Sequence, residues 1–151
     1  DKKFYIYHDM LYDGKLFKSF NSNEIICDTL ESVLKLNTNK IILLEIKDPF
    51  IDIDNLVKTL IKYESKNIYV MSFYNKVIDK LNIKNKTYKV GILNYVLNTT
   101  EKHFKYDFIC ILRPLLNDKI IEFVKKNNKE LFVYGNYNNK FKYDFPYYIV
   151  D

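Results

Sequence analysis

Two residues that could do chemistry together, Glu45 and Lys47, follow directly on the apolar residues 41–44. Alternate side chains of an extended strand share a face, so Leu43, Glu45 and Lys47 are predicted to point the same way. A buried charge costs several kcal/mol unless it is paired or bound to a metal. A carboxylate next to an amine at the end of an apolar strand is therefore predicted to serve a function, rather than to mark the exit of the strand into solvent.

Three further polar residues occupy the same kind of position. His8 follows the apolar run 4–7, and Ser72 and Arg113 end or follow later runs. Histidine titrates near neutral pH, so His8 could move a proton. For Ser72 and Arg113 considered alone, a polar residue where the chain leaves a strand is the simpler interpretation, because turn residues are mostly polar.

Strand-length apolar runs alternate with helical patterns along the whole chain. The runs are rich in β-branched and aromatic residues, and they cover residues 4–7, 41–46, 68–73, 90–93, 108–112, 131–134 and 147–150. Helices are predicted where apolar residues recur every three or four positions. These stripes are Leu30, Val33 and Leu34; Ile53, Leu56, Val57, Leu60 and Ile61; and Ile120, Ile121 and Val124. Weaker helical patterns cover residues 76–81 and 95–104.

Cap residues precede these helices. Asp28 followed by Glu31 matches the capping-box pattern, and Asn117 or Asp118 can cap a later helix. A cluster of carboxylates follows Lys47, and it could add metal ligands. An acidic helix N-terminus is favoured for this cluster, because the helix dipole stabilises acids there. Its members are Asp48, Asp52 and Asp54.

The alternation of strands and helices predicts an α/β fold with a parallel sheet and crossover helices. The near-continuous apolarity of residues 41–44 and 108–112 fits strands that are buried on both faces. Periodicity leaves an open doubly wound sheet and a (β/α) barrel as alternatives. No glycine-rich loop follows the first strand, which counts against a dinucleotide-binding version of the open sheet.

The composition is that of a soluble globular protein, with 48% hydrophobic and 28% charged residues. No apolar run approaches the ~20 residues that cross a bilayer. A cytoplasmic location is favoured, and no oligomeric state is indicated. The net charge of +5 does not predict nucleic-acid binding, because the lysines are scattered and Arg113 is the single arginine. Cys27 and Cys110 are predicted to be buried thiols, which are favoured over a disulfide.

Six short motifs in the correct order resemble those of the glycerophosphodiester phosphodiesterase family. They are Tyr5-Ile-Tyr-His8-Asp9, Asp28-Thr-Leu-Glu-Ser-Val-Leu34, Leu43-Leu-Glu-Ile-Lys47, Met71-Ser-Phe73, Leu131-Phe-Val-Tyr134 and Tyr148-Ile-Val-Asp151. The resemblance implies a TIM (β/α)8-type barrel. It also implies a metal-dependent hydrolase that converts a small-molecule glycerophosphodiester into an alcohol and glycerol 3-phosphate.

The resemblance also implies roles for single residues. Glu45 would bind a divalent cation, Mg²⁺ or Ca²⁺, since both prefer oxygen ligands. Lys47 would face the phosphate as a point charge, and His8 would do general acid–base work. The expected substrate contacts are Ser72, Arg113 and Tyr134.

The chain departs from the family pattern in its first part. The family's His-Arg-Gly strand end, Glu-Asn-Thr helix start and Glu-x-Asp pair are missing, and 151 residues are fewer than the ~200 of a whole barrel. The prediction is one N-terminally truncated domain over residues 1–151. It would have about six parallel strands plus a short His-Asp strand, without the first two strands of the barrel. His103 is expected to be an exposed helix-end residue, and no substitute for the missing histidine.

Three functions follow as hypotheses. The first is an active phosphodiesterase once the barrel is complete. The second is a degenerate, non-catalytic relative that acts as a binding or interaction domain. The third is an unrelated α/β domain that binds acidic partners through its lysines.

Overall fold

The computed structural model describes residues 3–9, 11–36, 38–84, 87–94, 105–135, 143–144 and 146–149. The chain forms two compact units, Asp1–Asn39 and Lys40–Asp151. The prediction of one N-terminally truncated domain over residues 1–151 stays a prediction. No helix in the described part of the chain is long and apolar enough to cross a bilayer.

The N-terminal unit contains a short hairpin and one helix. Strands β1 (Leu11–Tyr12) and β2 (Lys15–Leu16) pair antiparallel. Asp13 and Gly14 connect them with φ angles of 48° and 73°. A two-residue hairpin turn requires this left-handed backbone, which Gly adopts freely and Asp tolerates. Helix α1 (Leu30–Leu34) follows later in the unit.

Aromatic rings supply much of the packing in the N-terminal unit. Phe17 is at the centre, with ring centroids 6.5, 5.0 and 6.0 Å from those of Tyr5, Tyr7 and Tyr12. Stacked and edge-on ring pairs at such distances are favourable. The buried residues among those described in this unit are Leu30 and Leu34. The unit therefore depends on ring contacts more than on an aliphatic core.

Residues 4–7 do not form the predicted strand. Tyr5 makes an isolated antiparallel bridge with Thr29, and the Ile6 N–H donates to the Asp28 carbonyl at 2.8 Å. The segment is extended, as its apolar residues predict, but its hydrogen-bond partner is the stretch that enters α1. The short His-Asp strand is thus not a member of the parallel sheet.

The capping box of α1 lies one residue later than predicted. The Thr29 hydroxyl accepts from the Ser32 N–H at 3.2 Å, and the Ser32 hydroxyl accepts from the Thr29 N–H at 3.1 Å. Asp28 accepts instead from the Ser32 hydroxyl at 3.2 Å. Thr29 and Ser32 therefore satisfy the helix start that Asp28 and Glu31 were expected to satisfy.

The C-terminal unit is built on six parallel strands that lie in the order of the sequence. They are β3 (Ile42–Glu45), β4 (Ile68–Ser72), β5 (Lys89–Asn94), β6 (Phe108–Leu112), β7 (Glu130–Tyr134) and β8 (Tyr147–Tyr148). A doubly wound sheet reverses its strand order at one point, whereas a barrel continues in one direction. The unreversed order therefore identifies an incomplete TIM-type barrel, as predicted.

In the described part of the chain, three helices connect these strands. They are α2 (Ile53–Ile61) after β3, α3 (Asn75–Asn82) after β4 and α4 (Asp118–Lys126) after β6. The weaker helical pattern over 76–81 is confirmed as α3, and the pattern over 95–104 lies outside the described residues. Most residues of the predicted apolar stripes are buried, including Leu56 and Leu60 of α2 and Val124 of α4. Ile61, at the end of the α2 stripe, is instead 43% exposed.

Strand alternation divides the sheet into an inner face and a face toward the helices. The inner face carries a cluster of buried side chains, with partly buried apolar residues around it. The buried members are Tyr69, Met71, Leu93, Phe108, Cys110 and Phe132, and the surrounding ones are Ile41, Leu43, Phe73, Tyr134 and Ile149.

The inner rings show that the sheet is strongly curled. Tyr69 of β4 and Phe132 of β7 are three strands apart, a separation of about 14 Å in a flat sheet with ~4.8 Å between strands. Their ring centroids are 5.4 Å apart. Phe108 of β6 lies against both, at 5.3 and 5.1 Å. The six strands thus form a half-barrel whose interior is filled by side chains.

Gly91 of β5 makes room for this interior. A Cβ atom at Gly91 would lie 2.3 Å from the ring of Phe108, well inside van der Waals contact. Phe108 can therefore fill the centre of the half-barrel only because the residue beside it has no side chain.

Candidate functional site

Glu45 is the last residue of β3 and lies at the carboxyl end of the half-barrel. It is opposite Met71 of β4, and the Ile46 N–H donates to the Met71 carbonyl at 2.8 Å. Because Leu43 packs on the inner cluster, alternation places Glu45 on the same inner face. This end of the strands is where barrel enzymes carry their catalytic residues.

Lys47 is paired loosely with Glu45. Its Nζ atom lies 3.9 Å from Glu45 Oε2, and the two side chains keep 38% and 27% of their surface exposed. Ion pairs in contact with solvent contribute about 0–1 kcal/mol, so stability alone does not account for this pair. The structure thus confirms that the two charged side chains lie together at the strand end.

The charge of Glu45 acts on the interior of the half-barrel. Cys110 of β6 is fully buried. Burial, and secondly the negative charge of Glu45, raise the pKa of the Cys110 thiol to about 12. The thiol is therefore protonated at neutral pH, and it does not supply the thiolate that binds metals. Cys27 and Cys110 are both free, and Cys27 is half-buried rather than buried.

Tyr134 lies at the carboxyl end of β7, packed against the inner cluster. Its hydroxyl donates a long hydrogen bond of 3.5 Å to the carbonyl of Asn94, at the end of β5. The side chain therefore passes over β6 and covers part of the mouth of the half-barrel. The predicted contact between Tyr134 and substrate stays a prediction.

Ser72 is placed differently from Glu45 and Lys47. It is fully buried on the helix-facing side of β4. Its hydroxyl donates to the Ile46 carbonyl at 2.6 Å and accepts from the Tyr74 N–H at 3.1 Å. The structure thus gives Ser72 a role in joining the ends of β3 and β4. It does not bring Ser72 to the inner face where a substrate contact was predicted.

Arg113 begins a 3₁₀ turn, Arg113–Leu115, directly after β6. It is half-buried and lies at the carboxyl edge of the sheet, one strand away from Tyr134. A contact between Arg113 and substrate stays a prediction.

His8 lies in the N-terminal unit. Its Nδ1 atom is 2.9 Å from Asp9 Oδ1, and its side chain is 89% exposed. The predicted general acid–base role of His8 also stays a prediction. His103 lies outside the described residues.

The carboxylates after Lys47 have structural partners. Asp52 is the N-cap of α2 and accepts from the Asn55 N–H at 3.1 Å. Asp48 accepts from the Phe50 N–H at 2.9 Å, and Asp54 pairs with Lys84 at 2.7 Å. The interpretation as an acidic helix N-terminus is confirmed for Asp52 and Asp54, whereas Asp48 lies in the segment before the helix.

The described residues do not form a cation site by themselves. They contain no group of three or more His, Cys, Asp or Glu side chains that could hold a metal ion. Glu45 is accompanied by the ammonium of Lys47 and the protonated thiol of Cys110, whereas Mg²⁺ and Ca²⁺ need several oxygen ligands.

Two features of the half-barrel were missed by sequence reasoning. Cys110 beneath Glu45 could have been found from the register, because it shares the inner face with Phe108. A polar network of Tyr69, Lys89 and Glu130 at the opposite end had no such signal, since these residues come from three strands far apart in sequence.

No model of a protein family matches this sequence, and no curated protein matches it. The fold is similar to a crystal structure described as a "putative glycerophosphodiester phosphodiesterase" from Galdieria sulphuraria, with a TM-score of 0.67 and 14% sequence identity. The match covers 82% of this chain and 60% of that one, so the chain spans about three-fifths of the solved structure. The comparison confirms, at the level of the fold, the resemblance that the motifs indicated.

Proposed function

We propose that this chain forms the C-terminal strands of a TIM-type barrel that hydrolyses glycerophosphodiesters to an alcohol and glycerol 3-phosphate. The observation that carries the proposal is the placement of Glu45 and Lys47, 3.9 Å apart at the carboxyl end of β3 in a curled parallel sheet. Barrel enzymes of many kinds carry out their chemistry at this end. The motif resemblance supplies the substrate class.

Lys47 provides positive charge for an anionic substrate. A phosphodiester is negatively charged, and an ammonium fixed at the mouth stabilises both its binding and the charge that develops during hydrolysis. The 3.9 Å separation is longer than a hydrogen bond, so Glu45 holds Lys47 by attraction without a short direct bond. The proposal assigns protonation of the leaving alcohol to His8, on the basis of the His-Asp motif.

Glu45 is the proposed ligand of a divalent cation, Mg²⁺ or Ca²⁺. Such an ion would offset the charge of the phosphoryl oxygens. Glu45 is a single oxygen-bearing side chain, and its described neighbours do not complete a cation site. The remaining ligands would therefore come from outside the described residues.

In a longer protein that completes the barrel, Glu45→Gln is predicted to abolish hydrolysis of glycerophosphocholine, measured as release of choline with Mg²⁺ or Ca²⁺ present. Glutamine keeps the size of the side chain and removes its charge. Glu122→Gln is the matched control, because Glu122 is exposed on α4 and the charge change is the same. The control should keep its rate within about twofold, and both variants should unfold at the wild-type urea concentration. Full activity of Glu45→Gln, or of the wild type in chelator, would reject the assigned role.

A non-catalytic binding domain is the second candidate. It is favoured because the described residues contain no group of three or more His, Cys, Asp or Glu side chains that could hold a metal ion. In that case calorimetry would detect binding of glycerol 3-phosphate without any turnover. Lys47→Met would abolish this binding, because the ammonium is the charge that faces the phosphate. Turnover by the wild type would exclude this candidate.

A further inference from the structure

A polar network closes the amino-terminal end of the half-barrel, opposite the candidate site. The Lys89 ammonium donates to the Tyr69 hydroxyl and to Glu130 Oε2, both at 2.7 Å. The Tyr69 hydroxyl donates in turn to Glu130 Oε1 at 3.0 Å. Lys89 also lies over the Tyr69 ring, with Nζ 4.8 Å from the centroid. Each of the three side chains therefore forms a hydrogen bond with both of the others.

The network joins strands that are not neighbours in the sheet. Tyr69 is on β4, Lys89 begins β5 and Glu130 begins β7. In a flat sheet β5 and β7 would be about 10 Å apart and β4 and β7 about 14 Å apart, at ~4.8 Å per strand. The curl of the sheet brings these side chains toward one another. Flattening the sheet would stretch the contacts, because the strands would move apart.

The protonation states fit this arrangement. Burial lowers the pKa of Lys89, but the hydrogen bonds and charge of Glu130 and the hydrogen bond of Tyr69 outweigh it, and the net shift is upward. Burial is also the largest cause that raises the pKa of Tyr69. At neutral pH Lys89 is therefore charged and the Tyr69 hydroxyl keeps the proton that it donates. Tyr69 is 2% exposed, so its hydroxyl would lose its partners inside the protein if the network broke.

We propose that Lys89, Tyr69 and Glu130 form a latch that holds the half-barrel curled and thereby sets the geometry of its opposite, carboxyl end. The strands β5 and β7 are joined at both ends, by Lys89 and Glu130 at one end and by Asn94 and Tyr134 at the other. The hydrogen bond at the mouth is long, at 3.5 Å, whereas the ion pair at the amino-terminal end is short. Lys89 and Glu130 keep 46% and 30% of their side-chain surface exposed, so their ion pair by itself contributes little to stability. The rest of the strength of the network comes from the hydrogen bonds of the buried Tyr69 side chain. The latch does not depend on the proposed reaction.

The reactivity of the buried Cys110 thiol can be used to measure how often the half-barrel opens. Cys110 is fully buried on the inner face, between the latch and the mouth, and a thiol reagent reaches it only when the half-barrel opens. In a Cys27→Ser background, the reaction of Cys110 with a chromogenic aromatic disulfide measures this opening. Lys89→Met should accelerate the reaction at least tenfold under native conditions, when rates are normalised to the same variant unfolded in urea. The rate of the Cys110 reaction in Lys89→Met should also depend less steeply on urea concentration than global unfolding does. The reason is that opening of the half-barrel exposes less surface than unfolding of the whole unit.

Lys84→Met is the matched control. It removes the same charge and breaks another Lys–Asp/Glu contact of 2.7 Å, between Lys84 and Asp54 on the helical surface. This variant should react within about twofold of the background. Equal rates for Lys89→Met and Lys84→Met would overturn the proposal.

Tyr69→Phe provides a second test, because it keeps the ring in the core and removes only the hydroxyl. It should also accelerate the reaction, by less than Lys89→Met. If Lys89→Met and Tyr69→Phe both fail to fold while Lys84→Met folds, the network supports the whole unit rather than its curl. The latch proposal would then be wrong.

Discussion

At the scale of single residues, Ser72 and Glu45 show that a shift of one position along a strand changes the face of the sheet on which a polar side chain lies. In β4 the inner positions are Tyr69 and Met71, so Ser72 faces the helices. Glu45 is opposite Met71 in the register, which puts it on the inner face. A motif match records that a polar residue ends a strand, but it does not record which face that residue takes. The near-continuous apolarity of these strands hides the alternation, and this is why the face of Ser72 was not predicted.

Ser72→Ala is expected to destabilise the protein by about 1–3 kcal/mol, because it leaves the buried Ile46 carbonyl and Tyr74 N–H without their hydroxyl partner. Urea unfolding followed by circular dichroism measures this change. Ser19→Ala is the control, since the Ser19 hydroxyl also donates to a carbonyl at 2.6 Å, that of Leu16, but in an exposed position. Ser19→Ala should lower the free energy of unfolding by much less than Ser72→Ala does. Unchanged stability of Ser72→Ala together with weaker ligand binding would instead support the predicted substrate contact.

At the scale of elements, the helices of the C-terminal unit were the most predictable part of the fold. The apolar stripe over residues 53–61 coincides with α2, and Asn117 caps α4 as expected, accepting from the Ile120 N–H at 3.1 Å. These features depend on neighbours within one or two turns, so a local pattern contains them. The partner of residues 4–7 depends on pairing with a segment more than 20 residues away, which no local pattern specifies. The same reason explains why the latch was not predicted.

Helix α3 is tied to the segment that enters β6 through one carboxylate. Asp79 accepts from the Tyr106 hydroxyl at 2.7 Å and from Lys105 Nζ at 2.5 Å. Burial raises the pKa of Asp79, but the hydrogen bonds from Lys105 and Tyr106 and the charge of Lys105 outweigh it. The net effect is a lowered pKa. The ionised carboxylate is thus favoured in the folded protein relative to the unfolded chain.

This shift predicts the pH dependence of an Asp79→Asn variant. The contribution of Asp79 to stability is complete above its ordinary pKa of 3.8 and is lost as the pH falls through the lowered folded value. The wild type should therefore be more stable than Asp79→Asn at pH 6, and the difference should shrink below pH 3.8. Urea midpoints at several pH values measure it, with Lys105→Met expected to show a weaker pH dependence than the wild type. A difference that is independent of pH would show that the charge of Asp79 does not matter.

At the scale of the whole molecule, the chain divides into two compact units. The boundary between Asn39 and Lys40 has no proline or glycine linker, and the pattern of apolar runs and helix caps continues across it. The sequence pattern predicts the order of the strands and helices, but it does not predict how densely each unit packs. The packing differs strongly, because a contiguous buried core lies in the C-terminal unit, whereas the N-terminal unit is held largely by rings around Phe17.

This difference predicts that the two units respond separately to the loss of one ring. Phe17→Ala removes a ring that contacts Tyr5, Tyr7 and Tyr12, and large aromatic residues dominate the energetics of small clusters. Hydrogen exchange read by mass spectrometry should speed up at least tenfold in peptides from residues 3–36 and stay unchanged in peptides covering β4 and β6. The core strands exchange when the C-terminal unit opens, and the ring contacts of Phe17 with Tyr5, Tyr7 and Tyr12 all lie in the N-terminal unit. Faster exchange of β4 and β6 to the same degree would show instead that the chain opens as one cooperative body.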